Sequence, residues 1–210
     1  MADLTGTTPA NTYKGLLQVN AYTDGIAGNT GSSALAIQDG AGNATALAIS
    51  TDNVGIGTTS PEEKLHIEAA VAPTVLIENT DSSASVGQSL GAIEFKGNDA
   101  STNADGIRAK INAEYRGVGG GTALILSTAA EGSAALEPRV YIQQDGDVGI
   151  GTTSPSAPLE VSSTTGGVIM PRMTTAQRNA IASPTNGEMV YDTDLNKFYG
   201  YANGVWIALH

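Results

Sequence analysis

The octapeptide VGIGTTSP occurs twice in this chain, at residues 54–61 and again, unchanged, at 148–155. The same offset of 94 residues aligns Leu65 of KLHIE with Leu159 of PLEVS, so the repeated unit continues past the identical core. A repeat of this kind predicts one local structure that is used twice. Any fold proposed for the chain must place this unit at two positions.

Each copy of the octapeptide predicts a strand with two unlike faces. Successive side chains of a strand point to opposite faces, so Val and Ile share one face and the two Gly residues the other. A face without side chains permits close approach by another backbone, for which we expect a neighbouring subunit. Because Pro fixes φ and lacks an N–H donor, TTSP predicts a corner before the next strand. The subunit-packing candidates are Val54, Gly55, Ile56, Gly57, Val148, Gly149, Ile150 and Gly151.

The composition predicts that one copy of the chain buries too little apolar surface to be stable alone. Gly, Ala, Ser and Thr make up 95 of the 210 residues, whereas Leu, Ile, Val and Phe together number only 43. That share of bulky apolar residues lies near the lower limit for a chain that folds around its own core. There is no cysteine to supply disulfides. Self-association would compensate for the deficit.

The remaining segments predict a mainly β protein. Alternating apolar runs separated by Gly, Asn, Ser and Asp predict an antiparallel β-sandwich over 85–146. Three short β-prone runs occupy 1–52. The repeats give a first strand-corner module with its connector over 53–84 and a second over 147–168.

Residues 169–210 predict a compact C-terminal knob. Thr174 and Gln177 fit a capping box that starts one short helix, which should stop near Ala182 because Pro184 follows. A three-stranded β-meander comes next, with a tight turn at Asn203-Gly204. Five of the ten aromatic residues lie in the last twenty positions. Strand alternation places Tyr199 and Tyr201 on one face and Phe198 on the other.

Charge and residue inventory exclude several classes of function. Ten Lys and Arg stand against 21 Asp and Glu, a net charge of −11, so we expect neither nucleic-acid binding nor membrane insertion. We expect no cofactor, no metal and no catalytic residue. The two histidines give little material for acid–base catalysis. His66 should face solvent or a subunit, and an ion on a symmetry axis stays open as an alternative.

Several segments of the chain resemble fibre proteins of tailed bacteriophages. The repeated VGIGTTSP with KLHI or PLEV is similar to a module that recurs in such fibres. GAIEFKG, AKINAEY and the run from TALILST to the second repeat resemble the sandwich that often precedes it. The segment from GGVIMPRM to VWIAL resembles a C-terminal fibre module, and TYKGLLQVN with LAIQDGAGNATALAIST is similar to a virion-attachment region.

The resemblance implies an elongated homotrimeric fibre on the surface of the virion, made in the host cytoplasm and without enzymatic activity. Residues 1–52 would attach it to a baseplate, tail or capsid protein, and the distal end would contact a host cell-surface glycan or protein. A tail fibre for host adsorption is the preferred interpretation, a capsid-attached head fibre or decoration protein is the alternative, and a glycan-degrading tailspike using Glu188 or Asp192 is a third. The receptor-binding candidates, which could equally pack in a core, are Tyr191, Tyr199, Tyr201 and Trp206.

Overall fold

The computed structural model describes residues 18–19, 35–38, 44–101, 105–117 and 119–209. These residues are mainly β, as predicted, and the chain divides into two compact units, Met1–Leu76 and Ile77–His210. Most of the predicted attachment region over 1–52 lies outside the described residues, so its role stays a prediction.

The first unit contains a five-stranded sheet whose strands follow chain order. Neighbouring strands are antiparallel except for the last pair, which is parallel. Parallel neighbours usually need a connection of a dozen or more residues, yet residues 57–64 suffice here because the connection folds directly back over the strand. The strands are β1 (Gln18–Val19), β2 (Leu35–Gln38), β3 (Ala44–Ile49), β4 (Val54–Ile56) and β5 (Leu65–Ile67).

The second unit begins with a six-stranded sheet, again in chain order and again ending in one parallel pair. The sandwich predicted over 85–146 differs from what is observed: its four strands form one antiparallel meander within this sheet. Short turns join each strand to the next, which keeps sequential strands side by side in one layer. The strands are β6 (Ser89–Gly97), β7 (Gly106–Gly117), β8 (Gly121–Ala129), β9 (Leu136–Ile142), β10 (Val148–Ile150) and β11 (Leu159–Val161).

The C-terminal part holds the predicted helix and meander. Thr174 caps the helix and Gln177 completes the capping box, but the helix ends at Asn179 and not near Ala182. Ala180 is the C-cap residue, and its N–H still donates to the carbonyls of Ala176 and Gln177. A two-residue strand before the helix, which pairs parallel with the meander, was not predicted. The elements are β12 (Arg172–Met173), α1 (Thr175–Asn179), β13 (Met189–Asp192), β14 (Lys197–Ala202) and β15 (Val205–Leu209).

The hairpin between β14 and β15 confirms the predicted turn. Asn203 and Gly204 both have positive φ, 53° and 84°. This is the backbone pattern of a type I′ turn, whose twist matches the two strands that it joins.

Buried apolar side chains are few in the described part of the chain. The largest cluster contains only Ala123, Ile125 and Tyr141, all on one face of the six-stranded sheet. Many more large apolar side chains stay exposed than are buried. A single copy of the chain therefore has a small core, as the composition predicts.

Candidate subunit interface

The two octapeptide copies adopt the same structure. In the first, Val54 pairs with Leu65 in the parallel β4–β5 ladder, and in the second Val148 pairs with Leu159 in β10–β11. The ladder closes in the same way in both, since the N–H of the residue after the second strand donates to the carbonyl of Ile56 or Ile150 at 2.8 and 2.9 Å. The predicted strand, corner and strand are confirmed in both copies.

The glycines of this module face the chain's own backbone. A Cβ added at Gly55 would overlap the carbonyl oxygen of Thr58, and one at Gly149 would overlap that of Thr152. The TTSP corner folds over the bare face of its own strand. The bare face predicted to admit a neighbouring subunit thus contacts the chain's own corner, and subunit packing at Gly55 and Gly149 stays a prediction.

Gly57 and Gly151 have a different structural role from Gly55 and Gly149. Both adopt positive φ, 82° and 76°, a conformation that other residues rarely take. A Cβ at either would also overlap a backbone carbonyl, that of Glu68 or Ser162. These two glycines therefore turn the chain out of the strand, and their part in subunit packing stays a prediction.

In each copy, one side chain of the second strand accepts a hydrogen bond from the backbone of the corner. His66 Nδ1 accepts the Glu62 N–H at 3.3 Å, and at the matching position Glu160 Oε2 accepts the Ser156 N–H at 2.8 Å. The two hydrogen bonds from Ser156 hold the pKa of the Glu160 carboxyl below its usual range. His66 therefore has a local structural contact, and the solvent- or subunit-facing position expected for it stays a prediction.

The six-stranded sheet has one apolar face that the single chain leaves open. The strand register places Ile111 beside Ile93 on β6 and beside Leu126 on β8, and the row continues through Val140 to Ile150 on β10. We call this surface the apolar face. Its side chains that stay exposed in the single chain are Ile93, Phe95, Ile111, Leu124, Leu126, Ile150, Leu159 and Val161.

The opposite face of the same sheet is more polar and better packed. Tyr141, only 2% exposed, lies under the guanidinium of Arg116, whose carbon is 5.6 Å from the ring centroid. Burial raises the pKa of the Tyr141 phenol, and the charge of Arg116 offsets part of that rise. Arg116 also pairs with Glu114 at 2.8 Å. This face already has its own contacts, unlike the apolar face.

The first unit repeats the same asymmetry on a smaller scale. Leu47 on β3, Ile56 on β4 and Ile67 on β5 are paired across the sheet and therefore share one face. Leu47 and Ile56 are exposed, as is Leu65 on the same face. The Val and Ile residues predicted to pack subunits thus lie on apolar surfaces in both units.

The C-terminal sheet also has an open apolar face. Met189, Tyr191 and Phe198 share it, with the rings of Tyr191 and Phe198 5.1 Å apart. Val205, Ile207 and Leu209 continue it on β15, and all three are exposed. A pocket of about 230 Å³ opens at its edge, lined by Val168, Ile169, Met170, Arg172, Tyr191 and Phe198.

The helix covers part of the other face of the C-terminal sheet. Arg178 of α1 is buried over the ring of Tyr199, with its guanidinium carbon 3.7 Å from the ring centroid. Its Nη1 lies 3.1 Å from Oδ2 of Asp192, which has no exposed surface. This buried ion pair, together with Val190, forms the centre of the knob.

Asp192 is held in place by several donors. Thr175 Oγ1 donates to Oδ2 at 2.8 Å, and the N–H groups of Asp194 and Leu195 donate to Oδ1. Burial alone would raise the pKa of this carboxyl, but these hydrogen bonds and the charge of Arg178 lower it overall. The sequence analysis named Asp192 as an acid of a possible tailspike site and did not predict its ion pair with Arg178. The signal that could have revealed its role is a short polar side chain at the start of a turn.

The four predicted receptor-binding aromatics are divided between the two faces of this sheet. Tyr191 lies on the open apolar face, whereas Tyr199, Tyr201 and Trp206 lie on the face with the helix. The rings of Tyr201 and Trp206 are 5.2 Å apart in an edge-to-face arrangement, and both residues are half-buried. The predicted separation of Tyr199 and Tyr201 from Phe198 is confirmed. Contact of these aromatics with a receptor stays a prediction.

The described part of the chain lacks two further kinds of site. No three acidic or histidine side chains lie close enough there to hold a metal ion. None of its helices has the length and apolar character to span a bilayer.

A comparison with protein families shows a match on the C-terminal part of the chain. Residues 149–210, from β10 through the meander to the end, match the family model described as a phage tail like trimerisation region. No curated protein matches the chain. The family match supports a phage tail-type structural protein, a component of the virion, that assembles as a homotrimer.

Proposed function

We propose that this protein is the subunit of a homotrimeric tail fibre that takes part in adsorption of a bacteriophage to its host. Three chains would place their apolar faces together around a common axis, with the polar faces outward. The fibre would act without catalysis, as a rigid support that presents threefold copies of each surface contact and so gains avidity.

The observation that carries the proposal is the open apolar face of the six-stranded sheet. Its eight exposed side chains are each about half-buried already, so full burial would contribute roughly 1 kcal/mol each, on the order of 8 kcal/mol per chain. Association of proteins costs about 4–15 kcal/mol in lost freedom. This face alone would roughly balance that cost, and the apolar faces of the other two sheets would then make the assembly stable.

Support for a tail location and for host contact is of two kinds. The family match on residues 149–210 is to a phage tail like region, which favours the tail over the capsid. The half-buried Tyr201 and Trp206 lie on the face opposite the open apolar one, where they would stay accessible after trimerisation. Aromatic rings of this kind have an apolar body and a polar edge that suit contact with a sugar.

Competition with phage adsorption tests the proposal. The purified chain, added in excess to host cells, should lower the adsorption rate of the phage that carries it. Leu126→Asp places a charge on the apolar face and should abolish both trimer and competition. Ser127→Asp adds the same charge to the opposite face of the same strand and should retain both. A trimeric protein that does not compete, or antibody labelling of the capsid rather than the tail, would contradict the proposal.

A further inference from the structure

Residues 69–78, which we call the connecting segment, join β5 to the part of the chain that precedes β6. Four large apolar side chains lie in it: Val71, Val75, Leu76 and Ile77. Val71 and Leu76 are 84% and 81% exposed, and Val75 and Ile77 are more than half exposed. Isolated apolar residues on a surface are ordinary, but three consecutive ones with this exposure mark a surface that contacts something.

The backbone of the connecting segment is also without partners in its own chain. Within the described residues, no backbone N–H or C=O of 69–78 bonds another backbone group. The one hydrogen bond in the segment runs from the Thr74 hydroxyl to the Ala72 carbonyl. From Val71 to Leu76 the segment thus exposes its large apolar side chains, and no strand ladder holds it within one copy.

The C-terminal end of the connecting segment contacts the six-stranded sheet. Ile77 packs on Gly91 of β6, and a Cβ added at Gly91 would come within 2.5 Å of the Ile77 side chain. Gly91 pairs with Ala113, which places it in the row of Ile93 and Ile111 on the apolar face. The connecting segment therefore enters the surface that the proposed trimer would bury.

The charge of this region limits which kind of partner the connecting segment can contact. From Leu65 to Phe95 the sequence has no Lys or Arg, while Glu68, Glu78, Asp81 and Glu94 are acidic. An anionic lipid or nucleic acid would be repelled by such a surface. A partner with an uncharged apolar surface fits, and another copy of this chain has one in its apolar face.

We propose that the connecting segment packs its Val75 and Leu76 against a neighbouring copy of the chain. Each chain would then contact the connecting segment of the next. This inference rests on the proposed trimer and goes beyond it, because a trimer could form through the sheets alone. It identifies the connecting segment as part of the subunit interface.

Cysteine labelling tests the inference, because the chain has no cysteine of its own. Leu76→Cys and, as a matched control outside the apolar run, Thr80→Cys are labelled with a maleimide in the assembled protein. We expect position 76 to react at least tenfold more slowly than position 80. The two rates should become similar when Leu126→Asp is added to separate the chains.

The possible outcomes separate this inference from the proposed function. A trimer in which positions 76 and 80 react equally fast would overturn the inference and leave the trimer intact. Protection of position 76 that persists in the monomeric Leu126→Asp variant would also overturn it, because the chain's own residues would then cover the segment. A monomeric protein without the Leu126→Asp change would overturn the proposed function itself.

Discussion

At the scale of single residues, the carboxylate of Asp192 is strongly constrained by its neighbours. It is fully buried and receives an ion pair and three hydrogen bonds, two of them from the turn that follows β13. Each of these contacts favours the charged form, and together they outweigh the cost of burying it. Asp192 therefore ties the helix, the turn and the sheet of the knob together.

This arrangement predicts an acid-sensitive knob. A carboxyl with a lowered folded-state pKa stabilises the fold at pH values above its unfolded value of 3.8, and that stability is lost as pH falls through the folded pKa. The unfolding temperature of Asp192→Asn should lie below that of the unmodified protein at pH 6. The gap should narrow as pH falls below about 4. Thermal unfolding between pH 6 and 2.5 measures both.

Glu131→Gln supplies the control for that measurement. Glu131 is exposed in the turn between β8 and β9, and no side-chain hydrogen bond holds it in the described structure. Its replacement also removes one negative charge, yet it should change the unfolding temperature little at any pH. A gap for Asp192→Asn that stays constant down to pH 2.5 would show that the ionised carboxylate is not what stabilises the knob.

The residue types in the sequence predicted local features, such as caps and turns, but not which distant side chains contact each other. The capping box at Thr174 and the turn at Asn203-Gly204 follow from local chemistry, and both are observed. The Arg178–Asp192 pair joins residues from a helix and a strand that no local pattern connects. Its prediction would have required knowing which face of the meander the helix covers.

At the scale of elements, the strand-corner module is the unit that the chain uses twice. Its alternation was enough to predict strand, corner and strand. The direction in which the corner folds was not predictable, since a bare glycine face suits an approach by any backbone. The structure shows that the approaching backbone is the corner itself, at Gly55 and again at Gly149.

The module predicts a steric difference between two glycines of the second unit. Gly149→Ala should destabilise the protein by at least about 1 kcal/mol, because the new methyl group would overlap the Thr152 carbonyl. Gly166→Ala adds the same group where no atom lies within 4 Å, so it should change stability by less than about 0.5 kcal/mol. Chemical denaturation of the two variants measures the difference. Equal stability would mean that the corner does not pack as described.

The wrong prediction of a sandwich over 85–146 is also explained at the scale of elements. Alternating strands with short turns predict antiparallel pairing, and the meander from β6 to β9 has it. Alternation also predicts that one face is apolar, but it does not say what covers that face. A sandwich supplies the cover from the same chain, whereas here the apolar face is open in a single copy.

At the scale of the whole molecule, the same asymmetry appears in all three sheets. Each has one face with exposed Ile, Leu, Val or Phe side chains and one with its own packing, and the buried core is small by comparison. The composition alone predicted this shortage of buried apolar surface. We therefore expect the chain to be most stable when other copies cover these side chains.

The mass of the assembled protein in solution tests this account most directly. Sedimentation equilibrium of the purified chain should give about 64 kDa, three times the 21.3 kDa of one copy, and Leu126→Asp should lower that mass while Ser127→Asp should not. A well-folded species of about 21 kDa whose apolar faces stay in water would contradict the account.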